Sequence, residues 1–210
     1  MKKFVFLLSA IALIVTGCSK PAPTSNTAPS GTPKPAASPA TQKAAAKKAP
    51  ATNPVPSDWI RMYDDAKGYE FMVPKGTENK SETVEGVDVH TFAVPAPYDL
   101  GVMVVAFKDK TLTKDDLLKR AENILKALDE KDIKMDPAKE LNEDYSLVTF
   151  TSTSKDGKAG KGKILVATDV TDNYILFVGG DADKYTASEK TIDEIWGSFG
   201  MYSGGSSGNS

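Results

Sequence analysis

The sequence predicts an α+β domain, a mainly antiparallel β-sheet covered by helices, over residues 58–202 of a 210-residue chain. Three observations predict it. The runs 101–107, 164–168 and 174–178 are apolar at consecutive positions, the pattern of central strands covered on both faces. Two further stretches repeat apolar residues at helical spacing. The remaining strand-like runs are separated by short turns of hairpin type, which makes the sheet antiparallel and leaves the helices to cover it.

In chain order, residues 1–17 read as a lipoprotein signal peptide. Met1, Lys2 and Lys3 form a positive start. Phe4 to Val15 form an apolar stretch of about a dozen residues, the length of a secretory leader and too short to span a bilayer. Val15-Thr16-Gly17-Cys18 resembles the bacterial lipobox, in which small residues admit the peptidase and the cysteine thiol accepts a diacylglyceryl group. Cys18 is therefore the expected lipid attachment site, and acyl chains at roughly 0.8 kcal/mol per buried CH2 would hold the protein at a membrane. Ser19, where an aspartate often marks inner-membrane retention in enteric bacteria, favours the outer membrane by resemblance to those lipoproteins. The expected location is the cell envelope, facing the periplasm or exterior.

Residues 18–57 carry the lipidated cysteine and then a Pro-, Ala-, Thr-, Ser- and Lys-rich linker with almost no large apolar side chain. Nothing there offsets the entropy of ordering, so the stretch is expected to be a disordered spacer reaching roughly 35 Å as a coil and about 120 Å fully extended. No Asp or Glu occurs before Asp58. Removing the seven lysines at 2, 3, 20, 34, 43, 47 and 48 from 26 basic residues leaves 19 against 28 acidic, so the domain carries about −9. With no basic stripe to hold phosphates, the domain is not expected to bind nucleic acid. Cys18 is the only cysteine, so no intramolecular disulfide can form and burial must hold the core.

Within the domain, Trp59 to Tyr63 and Tyr69 to Val73 are short runs joined by Asp64-Asp65-Ala66-Lys67-Gly68, a hairpin turn. Glu85-Gly86 separates a polar strand, Thr77 to Val84, from Val87 to Val94. Thr113 is placed to cap a helix whose Leu117, Leu118, Ala121, Ile124, Leu125 and Leu128 form one stripe. Ser146 to Thr153 and Lys163 to Thr168 are strands, with 155–161 a mobile loop between them. Thr186 and Glu189 have capping-box spacing before a second helix striped by Ile192, Ile195, Trp196 and Phe199. Residues 203–210 form a flexible Gly/Ser tail.

No catalytic residue, metal ligand or cofactor site is expected. His90 is the sole histidine, which excludes multi-histidine metal sites, and a hydrogen-bonded or exposed strand histidine is the expected role. Gly204-Gly205-Ser206-Ser207-Gly208 has the letters of a nucleophile elbow but follows the last helix instead of joining a strand to a helix. Asp181 with Asp183, and Asp169 with Asp172, could offer carboxylates to calcium, yet the loop after Asp181 lacks the central glycine and terminal glutamate of an EF-hand. Capping by Asp183 or solvated turns are the simpler expectation. Trp59, Tyr63 and Tyr98 suit a core and its edge better than an aromatic binding patch.

The opening Trp59-Ile60-Arg61-Met62-Tyr63, the segment Gly68-Tyr69-Glu70-Phe71-Met72-Val73-Pro74, the mid-chain helix, the paired strands and the closing Ile195-Trp196-Gly197-Ser198-Phe199 resemble the PsbP-like superfamily. That group includes the extrinsic photosystem II protein P and DcrB-type bacterial envelope lipoproteins. Many relatives place a tryptophan shortly after the proline, and Pro74-Lys75-Gly76-Thr77 has none. The resemblance implies a PsbP-like α/β/α sandwich with a non-catalytic binding or complex-assembly role at a membrane, and an envelope protein as partner. The competing expectation is a small metal-dependent hydrolase or calcium-binding envelope protein using Asp181, Asp183 and His90.

Overall fold

A computed structural model of the chain describes residues 47–50, 54–84, 87–109, 111–169 and 172–202. The leader, Cys18, most of the linker, the Glu85-Gly86 turn and the Gly/Ser tail lie outside the described residues. The strands are β1 (Lys47–Lys48), β2 (Ile60–Asp64), β3 (Tyr69–Val73), β4 (Glu78–Val84), β5 (Val87–Val94), β6 (Leu100–Phe107), β7 (Lys131–Met135), β8 (Lys139–Glu140), β9 (Tyr145–Thr153), β10 (Ala159–Thr168), β11 (Asn173–Asp181) and β12 (Gly200–Met201). The helices are α1 (Lys114–Ala127) and α2 (Tyr185–Gly197).

A large sheet runs β4-β5-β6-β11-β10-β9-β7, with β8 beside β9, and a small sheet runs β1-β12-β3-β2. The pairings are antiparallel, β10 with β11 for example matching Ile164 to Phe177 and Val166 to Ile175. The consecutive apolar runs are explained by what lies on each face. Val102 and Val104 of β6, Leu165 and Ala167 of β10, and Tyr174, Leu176 and Val178 of β11 face one core, shared with β3 and α2. Their neighbours Met103, Val105, Ile164, Val166, Ile175 and Phe177 face a second core under α1. Period-2 side-chain direction thus feeds two cores from one strand, and each fully buried aliphatic side chain contributes about 1.5–3 kcal/mol. The result is the expected layered α+β sandwich, with the small sheet and α2 on one face and α1 on the other.

Thr113 caps α1 as expected, accepting from the Asp116 backbone N–H while the Asp116 carboxylate accepts from the Thr113 N–H, a reciprocal box. Leu117, Ala121, Ile124 and Leu125 are its buried stripe. The second helix differs from expectation at its start. A 3-10 turn over Ala182–Lys184 leads into α2, whose N-cap is Lys184 with no side-chain capping bond, so Thr186 and Glu189 lie inside the helix. Asp183 is exposed in that turn and caps nothing. The expected 155–161 loop is shorter, because β10 begins at Ala159 and a Ser154 N–H to Lys158 carbonyl bond of 2.8 Å closes the hairpin.

β7 and β8 have no apolar signature, since they are short and polar and lie beside β9 at the margin of the sheet. The boundary at residue 58 also needs correction. Lys47 and Lys48 pair with Met201 and Gly200, and Ala49 is buried, so the folded region begins inside the stretch that composition assigns to the linker. The signal is absent from the sequence because two lysines become a strand only when the β12 edge supplies partners.

Gly162 and Gly179 face each other across β10 and β11. A Cβ on Gly162 would lie 2.5 Å from the Val178 carbonyl oxygen and 2.8 Å from the Phe150 ring, so only glycine permits this approach.

Candidate functional site

A crevice lies where the end strands of the two sheets meet. Among the described residues, β2 ends the small sheet and β4 ends the large one. Met62, Tyr63 and Asp64 from β2 and Asn79, Lys80 and Ser81 from β4 line one pocket of about 180 Å³, with Tyr69, His90 and Phe92 as its floor. A second pocket of about 210 Å³ adjoins it, lined by Lys67, Ser81, Glu82, Thr83, Asp88 and His90. His90 and Ser81, cross-strand neighbours in β5 and β4, belong to both.

Local structure delivers each group. His90 shares its face of β5 with Phe92, two residues on, and Phe92 lies in the core beneath the small sheet, so the imidazole points toward β3. There the Tyr69 hydroxyl lies 2.7 Å from Nδ1, and the Asp64 carboxylate lies 3.7 Å from the same nitrogen. Lys67 comes from the β2–β3 turn. The Asp64 Oδ1 accepts from the backbone N–H groups of Ala66 and Lys67, both at 3.0 Å, and Gly68 adopts a φ of 71°. The buried Tyr174 hydroxyl donates to the Lys67 carbonyl at 2.7 Å. The turn is therefore held from both sides, and it sets the Lys67 Nζ 2.6 Å from His90 Nε2.

These contacts determine the tautomer. A lysine ammonium can only donate, so Nε2 must accept, which leaves the proton on Nδ1, donating to the Tyr69 oxygen. Burial, and next the Lys67 charge, push the His90 pKa below its ordinary value, against the opposing pull of Asp64 and Asp88. The imidazole is neutral at pH 7. Burial likewise raises the Tyr69 hydroxyl above the usual tyrosine range, so it stays protonated. The chemistry on offer is a neutral, hydrogen-bonded imidazole with Lys67 and Asp88 carrying opposite charges 4.0 Å apart at the rim.

The other residues singled out from sequence do not converge on this crevice. In strand register His90 aligns with Val104 and through it with Leu176. Asp181 lies five residues farther along β11, roughly 17 Å away along the strand. His90, Asp181 and Asp183 thus form no common site. Among the described residues, no three His, Cys, Asp or Glu side chains are grouped to hold a metal ion. Asp169 is engaged by Lys47 at 3.3 Å, and its backbone N–H closes a turn on the Asp172 carbonyl. Trp59 is buried and Tyr98 packs at the edge of the same core, whereas Tyr63 is 57% exposed with the Arg61 guanidinium 4.8 Å over its ring. No aromatic patch of the three forms at the surface. Cys18 and the Gly204–Gly208 motif lie outside the described residues. The groups that sequence reasoning missed are Lys67, Tyr69 and Asp64, visible in the sequence only as turn and strand residues.

The solution structure of cyanobacterial PsbP (CyanoP) from Synechocystis sp. PCC 6803 is similar with a TM-score of 0.56 and 19% identity, over 69% of this chain and 93% of that one. The chain therefore has a PsbP-like fold. More distant are the Saccharomyces cerevisiae Ran-binding protein Mog1p, with a TM-score of 0.45 and 10% identity over 65% of this chain and 84% of that one, and LpqN of Mycobacterium tuberculosis, described as involved in cell envelope biogenesis, with a TM-score of 0.40 and 12% identity over 79% and 88%. These last two likenesses are too slight to carry an argument. No family model matches the chain, and no curated protein matches it.

Proposed function

We propose that this protein is a lipid-anchored lipoprotein of the cell envelope whose single domain is a non-catalytic binding or assembly module, and that the crevice around His90 is where it recognises an envelope protein. The leader and the Val15-Thr16-Gly17-Cys18 motif support the anchor. One observation favours recognition over catalysis: both nitrogens of the only imidazole are already engaged inside the fold, Nε2 by Lys67 and Nδ1 by Tyr69. A general base needs a free nitrogen within reach of the proton it takes. A pair of adjoining polar pockets between two strand ends suits side chains and backbone of a partner instead.

Two experiments test the reading. Labelled palmitate should mark the wild-type chain in cells and not the Cys18→Ala variant; equal labelling of both would remove the anchor from the account. A photo-crosslinking residue at Ser81 should capture one defined envelope protein in living cells. A crosslinker at Lys158, in the exposed hairpin between β9 and β10, should not. Capture of the same abundant neighbours from both positions would refute recognition through the crevice.

A further inference from the structure

The start of the folded region carries more contacts than a spacer requires. Lys47 and Lys48 form β1 on the β12 edge, and the Ala49 N–H donates to the Phe199 carbonyl at 2.8 Å. The Tyr145 hydroxyl, on a side chain only 1% exposed, donates to the Lys47 carbonyl at 2.7 Å. The Lys47 Nζ lies 3.3 Å from Asp169 and 3.6 Å from Asp144, and these carboxylates raise its pKa, Asp169 first. Ala49 fills a closed position, 3% exposed, where a larger side chain would have no room without displacement. Backbone and ammonium are matched by separate groups, Tyr145 of β9, Asp144 just before it, Phe199 and β12, and Asp169 just after β10.

We propose that this surface is a clasp for the protein's own tether, and that residues 47–49 are the occupant it is built to hold. The clasp consists of the β12 edge, Tyr145, Asp144 and Asp169. It covers a sheet edge that would otherwise present unpaired N–H and C=O groups. It also fixes where the tether leaves the domain. The folded region then begins at residue 47, upstream of the boundary at residue 58 that composition gives. The β1 edge and the β2 edge are opposite ends of the small sheet, so residues 47–48 lie on the edge away from the strand that lines the His90 crevice. Because part of the grip is an ion pair on a side chain 53% exposed, the clasp is sensitive to salt.

The test uses the full chain and does not depend on whether Cys18 is lipidated. Trypsin is added under native conditions, with the Lys43–Ala44 bond of the same acid-free segment as the reference. Scission after Lys47 and Lys48 should be at least about tenfold slower than after Lys43, since a bond held in a sheet must open before it is cut. Asp144→Asn with Asp169→Asn, and separately high salt, should bring the rates toward each other. Equal rates at Lys43 and Lys48 in the unaltered chain would overturn the proposal, and protection unchanged in the double variant would overturn the role of the two carboxylates. Amide exchange in the unaltered chain gives a reading that needs no variant: the Ala49 N–H should exchange at least about tenfold more slowly than that of Ala44, and equal exchange would again overturn the clasp.

Discussion

Lowering the pH should weaken the fold through His90 alone, and the chain is well suited to show it. His90 is the only histidine, so no other side chain of ordinary pKa titrates between about pH 5 and 7.5. Its pKa is lowered in the folded state, by burial first and by Lys67 second. The sign follows from linkage. The unfolded chain takes up the proton near the ordinary value of 6.5, while the folded chain resists it. The stabilisation is fully present above pH 6.5 and is lost as pH falls through the lowered folded value. Its slope cannot exceed one proton, about 1.4 kcal/mol per pH unit. Structurally, a protonated Nε2 could no longer accept from Lys67 at 2.6 Å and would set two cations against each other. The assay is the urea midpoint of wild type and His90→Gln from pH 8 to 5, since glutamine still accepts from Lys67 and does not titrate. Wild type should lose stability below pH 6.5 relative to the variant. Parallel curves across that window would refute both the protonation assignment and the Lys67 contact on which it rests.

Other perturbations test the fold that holds the site. Gly162→Ala places a Cβ against backbone and the Phe150 ring and should cost about 1–3 kcal/mol by overpacking. Gly160→Ala brings its Cβ 3.1 Å from the Ser152 hydroxyl, which donates to Glu130, but no closer than 3.9 Å to backbone, and should cost less than Gly162→Ala; thermal melts of the pair decide. Thr113→Ala removes the side-chain half of the α1 cap, leaving the backbone N–H of residue 113 donating to Asp116, and should lower stability by about 1 kcal/mol, read from the denaturant midpoint. Phe199→Ala empties a fully buried position that stacks on Tyr69 at 6.1 Å and meets Tyr174 at 5.7 Å. It should cost about 3–5 kcal/mol and broaden the His90 NMR signal, because Tyr69 loses its support.

Much of the architecture was legible in the sequence because it is written in local periodicity. The stripe from Leu117 to Leu125 makes one helix face, and the unbroken runs in β6, β10 and β11 can be buried only by cover on both sides. The turn chemistry of Asp64 to Gly68 is likewise local. Tertiary structure decided what depends on neighbours distant along the chain. Lys67 meets His90 only because the small sheet lies over β5, and a turn lysine carries no mark of that destination. β1 exists only because β12, more than 150 residues later, offers an edge with Tyr145 and Asp169 beside it. The start of α2 moved because a 3-10 turn packed ahead of it made a side-chain cap unnecessary. Short-range pattern sets which face of a segment seeks burial, whereas the identity of the partner on that face is fixed by packing that no window of the sequence contains.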